Sequence, residues 1–418
     1  MITDRTIICV ASNWEYDPTS KHQIMKILAR HNRVVWINYR GTRRPAPTRA
    51  DILNALSTLR RVSKGVQRVS PSMVQITPLV VPAPGRAYLK RLNERLIVRA
   101  IQRGMEQIEG ADGRPVQVWT FAPDTAFLAG KFDEERLVYY CVDEHARFEG
   151  FDPRYVVCEE RRQIDVADVV ITTSAALKES KSRLHPNTHL VRHGADTAHF
   201  ARAFEEDLPV PPDLADVPHP VIGFFGVLHH WIDCRLIAAV ARKRPDYTFV
   251  LIGEVLTDVA ALRALPNVRL LGRRAYATLP GYCKTFDAAM LPFKHTAMTQ
   301  AVNPIKMREY LAAGLPVIST PLPEACLCEP DVIIAHGADA FALGCDQALH
   351  ESGPTGRRES DALARRRRAA RAAGDSWETV VERLSTIIMQ TPDAERQPVI
   401  PSPATVSGAE PELISSVA

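Results

Sequence analysis

No apolar stretch of this chain approaches the ~20 residues that a membrane-spanning helix needs. Runs such as Val250 to Ile252 stop far short. The opening residues, MITDRTIICVASNW, place acid and base ahead of only a brief apolar run, unlike a secretory leader, so a cytoplasmic location is expected. Eight cysteines are scattered without a CxxC pair or metal-ligand spacing, which points to buried thiols in a reducing compartment and to no structural metal. No glycine-rich fingerprint follows the first apolar run, which argues against a dinucleotide cofactor. The chain also lacks a helix-turn-helix, a zinc finger, an aromatic RNA-binding motif and any short solenoid repeat, so nucleic acid is not an expected partner.

What is present is 418 residues, 46% of them hydrophobic, enough for two cores. Short β-type runs alternate with helical patterns: Thr6 to Ala11, Lys21 to Arg30, Val34 to Asn38, and onward through Val116 to Thr120, Leu137 to Cys141 and Val169 to Thr172. This is the βαβ signature of a parallel, doubly wound sheet. A proline-rich stretch, Pro209 to Pro220, precedes a second series of strands: Val221 to Phe225, Thr248 to Ile252, Val268 to Leu271 and Ala288 to Leu291. The expected architecture is α/β, two tandem Rossmann-like domains around an interdomain cleft. We place the first at 1–195 and the second at 196–390, with Trp377 to Met389 as its last helix, and expect a disordered proline-rich tail at 391–418.

Charge is uneven. Residues 40–103 hold fourteen Lys or Arg against Asp51 and Glu94, a local +12 within a chain of net +4, which leaves −8 elsewhere. Within that block, Tyr88 to Ile108 reads as an amphipathic cationic helix, and nearby basic side chains contribute roughly 1 kcal/mol each on an anionic bilayer. Residues 40–103 are therefore the expected contact with an anionic membrane surface, making the protein peripheral on the inner face of the cell membrane. The tract Arg365 to Arg368 reads as a solvated surface helix.

The segment NPIKMREYLAAGLPVIST, Asn303 to Thr320, constrains function most. Asn303 is a good N-cap and Pro304 suits the first helical position, so a helix should open there with free N–H groups that attract phosphate. Lys306 and Glu309, three residues apart, project side by side near that end, where an anion and a diol could share the face. Gly314 supplies the left-handed stop, and Val317 to Thr320 reads as a buried strand.

Other candidates follow predicted strands, at the carboxyl edge where ligands collect. Asp143 and Glu144 follow Leu137 to Cys141, and a carboxylate there could deprotonate an acceptor hydroxyl; His145 is a weaker alternative base, and the alternative role of Asp143 is a helix N-cap. His193 precedes Gly194 at the domain junction. Gly226 and Gly253 end strands where a missing Cβ lets backbone approach a ligand. Arg273, Arg274 and Tyr276 follow the next strand, and the tyrosine ring could contact a base. In the first domain, the loop from Asn13 to Gln23 should face the cleft, with Asp17 and His22 on the acceptor side.

Taken together, VRHGADTAHF (191–200), VIGFFGVLHHWID (221–233), FVLIGE (249–254), NVRLLGRRAYATLP (267–280) and the 303–320 segment resemble the GT-B glycosyltransferases over roughly residues 5–390. Their wording is similar to the group that includes teichuronic-acid and exopolysaccharide assembly transferases. The resemblance implies a nucleotide-sugar donor, UDP-linked, in the second domain and a glycan or polyprenyl-linked acceptor in the first. No cofactor beyond the donor is implied. Lys306 would neutralise the donor diphosphate and Glu309 would accept the ribose hydroxyls, with Gly226, Gly253, Arg273, Tyr276 and Asn303 also on the donor side; Asp143, Glu144 and His193 would be the catalytic candidates. Retaining members often carry a second glutamate eight residues before the one at 309, and here that position is Ala301. The loop after Phe225 reads Gly226-Val227-Leu228-His229-His230-Trp231, without the Arg and Lys many relatives have there. A GT-B-shaped epimerase or phosphorylase, or a noncatalytic assembly scaffold, is the alternative reading.

Overall fold

A computed structural model of the chain describes residues 1–39, 57–81, 87–148, 150–352 and 359–392. Much of the basic block and almost all of the tail expected to be disordered lie outside the described residues.

The first sheet has eight strands, β1 (Thr6–Ala11), β2 (Arg33–Asn38), β3 (Val66–Ser70), β4 (Met73–Ile76), β5 (Val116–Thr120), β6 (Glu134–Cys141), β7 (Val169–Thr172) and β8 (Thr188–Leu190). Their order is β3-β4-β2-β1-β5-β6-β7-β8, parallel except where the edge hairpin β3–β4 turns back. The second sheet has β9 (Val221–Phe225), β10 (Thr248–Ile252), β11 (Val268–Gly272), β12 (Ala288–Leu291), β13 (Val317–Ser319) and β14 (Val332–Ile334), ordered β11-β10-β9-β12-β13-β14 and wholly parallel. Strands β1, β5, β7, β9, β10 and β12 begin and end where the apolar runs do, because each is covered on both faces and so carries an unbroken hydrophobic signal.

Three features depart from the sequence reading. The helix after Val302 spans Ile305–Ala312, so Pro304 takes the cap position and Asn303 does not cap it. The side chain of Asn303 is drawn off to bridge the domains, as described below. The last helix, Trp377–Gln390, packs on the first domain and not with the second: Trp377, Val381, Leu384 and Ile388 fill the cluster built from Ile24, Leu28, Trp36 and Val138. Its amphipathic stripe could be read from sequence, but not which apolar surface it would cover. Arg368, expected on a solvated face, is fully buried and donates from Nε to Gly314 O at 2.8 Å. The charge answers the open carbonyl at the end of the helix that carries Lys306.

The thiols divide likewise. Cys9, Cys141, Cys234, Cys283 and Cys345 are buried, while Cys158 and Cys326 are exposed.

Candidate active site

The polar contacts between domains come from segments that follow strand ends. Ser174 Oγ, beyond β7, donates to Ala301 O, beyond β12, at 2.7 Å. Asn303 Nδ2 donates to Thr173 O at 2.6 Å, and Arg192 pairs with Glu324 at 2.6 Å. Asp17, beyond β1, pairs with Arg273, beyond β11, at 2.7 Å. Both sheets therefore turn their carboxyl edges to one cleft, the position where open α/β sheets bind ligands.

On the second-domain side, Lys306 and Glu309 lie on the helix Ile305–Ala312 as expected. Gly226 has φ +143°, and a Cβ there would sit 2.1 Å from Lys306 Cε; Gly253, at φ +149°, has its Cβ direction 1.9 Å from Gly226 O. The two glycines thus nest against each other and let the Lys306 stem lie over the β9 turn, so their first contact is with protein. Glu309 is 7% exposed. Burial pushes its carboxyl up to about 7, Lys306 pulls it back, Asp196 pushes it further up, and a hydrogen bond from the Tyr276 hydroxyl lowers it. The Tyr276 ring stacks on His199 at 4.9 Å and meets Phe200 edge-on at 5.7 Å. Its hydroxyl also receives a hydrogen bond from Gln23 of the first domain. Tyr276 therefore ties the domains together beside Glu309. Arg273 is engaged by Asp17, and Arg274 by Asp213 at 2.7 Å, which leaves both on the outer rim of the cleft.

On the first-domain side, Asp143 follows β6 and is half-buried. Burial raises its carboxyl to about 6, against the opposing pull of Lys21. Glu144 turns away to Lys181, 3.3 Å from its Oε1, and Lys181 also binds Glu160 at 2.7 Å. Held in that ion-pair network, Glu144 is an acceptor of structural hydrogen bonds; it lines an open cavity of about 740 Å³ with Ala146, Arg147, Phe148, Pro153 and Val157. Burial, with Lys21 and then Lys181, lowers His145 to about 4. Burial, with Arg308 and then Lys21, lowers His193 to about 3, so both rings are neutral at pH 7. His193 is 6% exposed and lies 6.0 Å from the Trp377 ring.

His22 does not enter the cleft. Its Nδ1 accepts from Thr19 N at 3.2 Å, its Nε2 lies 3.4 Å from Asn13 O, and its ring packs on Trp36 at 4.9 Å, so neither nitrogen is left for an acceptor. The capping box at the start of the helix Ser20–Leu28 explains why that histidine is there.

Several site residues escaped notice. Arg308, 4% exposed, binds Asn303 Oδ1 at 2.6 Å and Asp375 at 2.9 Å, while Asp375 O accepts from Ala195 N at 2.9 Å. This chain of bonds fixes the hinge, and the only trace it leaves in sequence is an arginine in a helix otherwise facing the core. Lys21, second in its helix, reaches Cys9, Asp143, His145 and His193 electrostatically. Among the described residues no group of three or more His, Cys, Asp or Glu side chains is placed to hold a metal ion, and no helix is long and apolar enough to cross a membrane.

Two Rossmann-like domains that meet across such a cleft form the GT-B architecture. Residues 219–351, which hold Gly226, Gly253, Lys306 and Glu309, match the family described as group 1 glycosyl transferases. TuaH of Bacillus subtilis (strain 168), named as a teichuronic acid biosynthesis glycosyltransferase, is 28% identical over 264 residues, 58% of this chain and 66% of TuaH. The match thus spans just under two thirds of that relative's length. Sucrose-phosphate synthase from Thermosynechococcus elongatus has a TM-score of 0.64 at 16% identity, covering 92% of this chain and 98% of its own. Anabaena HepE, solved with UDP and glucose, has a TM-score of 0.62 at 15% identity, covering 92% and 99%. The chain thus has the two-domain α/β fold of these structures, and its second domain carries the match to group 1 glycosyl transferases.

Proposed function

We propose that the protein transfers a sugar from a UDP-linked donor to a hydroxyl of a glycan or polyprenyl-linked acceptor in polysaccharide assembly. The observation that carries this is the pairing of Lys306 and Glu309 on one helix face, with Lys306 laid over the β9 turn at Gly226. An ionised Glu309 can accept both ribose hydroxyls, and Lys306 with the adjoining helix end offsets the charge that develops on the leaving diphosphate. HepE, solved with UDP-glucose, supports the donor class, and the name of TuaH supports the polysaccharide context.

Asp143 is the group best matched to deprotonate the acceptor, because its carboxyl at about 6 is ionised at neutral pH yet still basic, unlike the neutral histidines beside it. In the step, the acceptor hydroxyl proton passes to Asp143, the acceptor oxygen bonds the anomeric carbon, and the bond from that carbon to the phosphate oxygen breaks with its electron pair on UDP. With alanine at 301 and the proposed base on the opposite domain from Lys306, single displacement with inversion is the favoured course.

Membrane contact rests on the helix Ala87–Gln107, whose exposed face carries Tyr88, Arg91, Leu92, Arg95, Arg99 and Arg103 while Ile97 and Ile101 are buried. Cations interleaved with an aromatic and a leucine suit an anionic bilayer surface on the cytoplasmic side.

A thermal-shift screen with UDP, GDP and ADP tests the donor: UDP should raise the melting temperature most, and Lys306→Ala should remove that rise while leaving the unliganded protein's melting unchanged. Absence of any nucleotide response would overturn the reading.

A further inference from the structure

The open cavity of about 740 Å³ on the first domain has no part in donor binding. Its volume is that of a small-molecule site, roughly 300–1,000 Å³. One wall is the segment that leaves β6: Glu144, then Ala146 and Arg147 of the 3-10 turn His145–Arg147, then Phe148. The other wall is the opening of the helix Pro153–Val166, at Pro153 and Val157. Asp143 directly precedes Glu144, so the cavity begins one residue from the proposed base. Ala146, Phe148, Pro153 and Val157 line it with hydrocarbon, and Val157 is left 56% exposed although Val156 and Ile164 of the same helix are buried. The Phe148 ring is set edge-on against His145 at 5.8 Å. The charges nearby are mostly engaged. Glu144 is taken up by Lys181, Asp152 accepts from Arg154 N and Tyr155 N as the helix cap, and Arg161 and Arg162 pair with Asp165 and Glu159. Arg147 differs: it is exposed, and its guanidinium has no hydrogen-bond or ion-pair partner among the described residues.

We propose that this cavity holds the prenyl phosphate end of a lipid-linked acceptor, with isoprene units against Phe148, Pro153 and Val157 and the phosphate on Arg147. This deepens the transfer reading and rests on its placing of the acceptor in the first domain. A bare glycan fits the lining poorly, because sugar hydroxyls need several placed donors and acceptors and Arg147 is the polar group left open. Hydrocarbon needs no such partners; it gains about 25 cal/mol for each Å² of apolar surface taken out of water. A guanidinium meets phosphate with paired N–H groups, which suits the unengaged Arg147. The cavity also lies on the side of the domain where a lipid would arrive. The helices Ala87–Gln107 and Pro153–Val166 pack on the same face of the first sheet, through Ile97 and Ile101 on one and Ile164 on the other, and Lys90 joins Glu159 between them at 2.8 Å. Their outer faces, with Tyr88 and Leu92 on the first and Val157 on the second, therefore turn to the same side. A prenyl chain leaving a bilayer under Tyr88 and Leu92 reaches Val157 on its way to the carboxyl edge of β6. There Arg147 N donates to Glu144 O at 3.0 Å, which keeps the phosphate-binding cation and Asp143 on one tight turn.

Calorimetry with farnesyl phosphate, kept below its micelle-forming concentration and without vesicles, tests the cavity apart from any bilayer. The full chain is titrated with farnesyl phosphate, inorganic phosphate and maltotriose in turn. Farnesyl phosphate should bind, and each of the other two should bind at least about 100-fold more weakly. Val157→Asn and Arg147→Gln should each weaken farnesyl phosphate about tenfold, the first through lost apolar contact and the second through the lost charge. Both side chains are exposed, so the melting temperatures of the unliganded variants should match wild type. No binding of farnesyl phosphate, or an affinity unmoved by either substitution, overturns the proposal. Inorganic phosphate bound as tightly as farnesyl phosphate would assign the site to a free anion, and maltotriose bound more tightly would assign it to a bare glycan; either result overturns it too. Failure of the transfer reading is separable. It would show as no response in the nucleotide thermal-shift screen, in which no prenyl ligand takes part, whereas failure of the cavity assignment would leave that response intact.

Discussion

Glu309→Gln separates the donor role of this carboxylate from its place in the core. Its carboxyl moves from 4.5 to about 7, with burial as the first cause and Asp196 as a further one. Because the folded-state value is raised, the folded protein prefers the protonated acid. The resulting cost to stability is absent well below 4.5, grows between 4.5 and 7, and is fully present above 7. From those two values the cost is about 1 kcal/mol at pH 5 and about 3 kcal/mol at pH 8. A neutral amide keeps an oxygen for the Tyr276 hydroxyl and turns a donor toward Asp196. Glu309→Gln should therefore melt about 5 °C higher than wild type at pH 8, with a much smaller gain at pH 5. Donor affinity should move the opposite way. If ribose hydroxyls bind the ionised carboxylate, wild-type UDP affinity measured by calorimetry should be about tenfold weaker at pH 6 than at pH 8, and the amide should bind UDP about 10- to 100-fold more weakly at pH 8. A Glu309→Gln protein that is no more stable at pH 8, or that binds UDP as tightly as wild type, would refute the reasoning.

Other substitutions address neighbouring parts of the site. Gly226→Ala places a methyl 2.1 Å from Lys306 Cε at a φ of +143°, so Lys306 must move; UDP affinity should fall several-fold by calorimetry, with about 1–2 kcal/mol lost in urea unfolding. Asn303→Ala removes the bonds to Thr173 O and from Arg308 together and should cost about 2–3 kcal/mol, seen as a lower urea midpoint. Charge reversal at Arg91, Arg95 and Arg99 should abolish flotation with vesicles containing anionic lipid while leaving flotation with neutral vesicles unchanged; equal flotation would release the helix Ala87–Gln107 from a membrane role.

Local pattern made most of the strands and the donor helix readable, because a buried parallel strand carries an uninterrupted apolar signal and a helix flanked by proline and glycine is bounded by backbone chemistry. What escaped depends on partners distant in sequence. Asn303 has the right chemistry for a cap, yet Thr173, 130 residues away, and Arg308 compete for its side chain and win. The short strand Val332–Ile334 and the edge strand Val66–Ser70 are only partly buried, so neither alternation nor a solid apolar run marks them. His22 looked like a cleft residue for a similar reason. Its position after β1 was right, but the capping geometry of its own helix turns both nitrogens inward.

The helix Ile305–Ala312 also explains why the donor residues are bound so closely to the domain junction. Lys306 and Glu309, three residues apart, share one face, whereas Arg308 points from nearly the opposite side into the hinge contacts of Asn303 and Asp375. Tyr310, between these faces, is fully buried, and its hydroxyl accepts a hydrogen bond from the backbone N–H of Phe225 at 2.8 Å, one residue before Gly226. A single rigid turn and a half therefore bears Lys306 and Glu309, the proposed ligands for diphosphate and ribose, together with the support of the β9 turn and the anchor of the hinge. A displacement of this helix when the diphosphate leaves would be felt at Arg308 and Asp375 without passing through any flexible loop. On the proposed reading, the gain is precision in placing Asp143, on the other domain, against the donor sugar. The cost is that Arg308 must stay buried, which the structure meets by giving its guanidinium two oxygen partners at 2.6 and 2.9 Å.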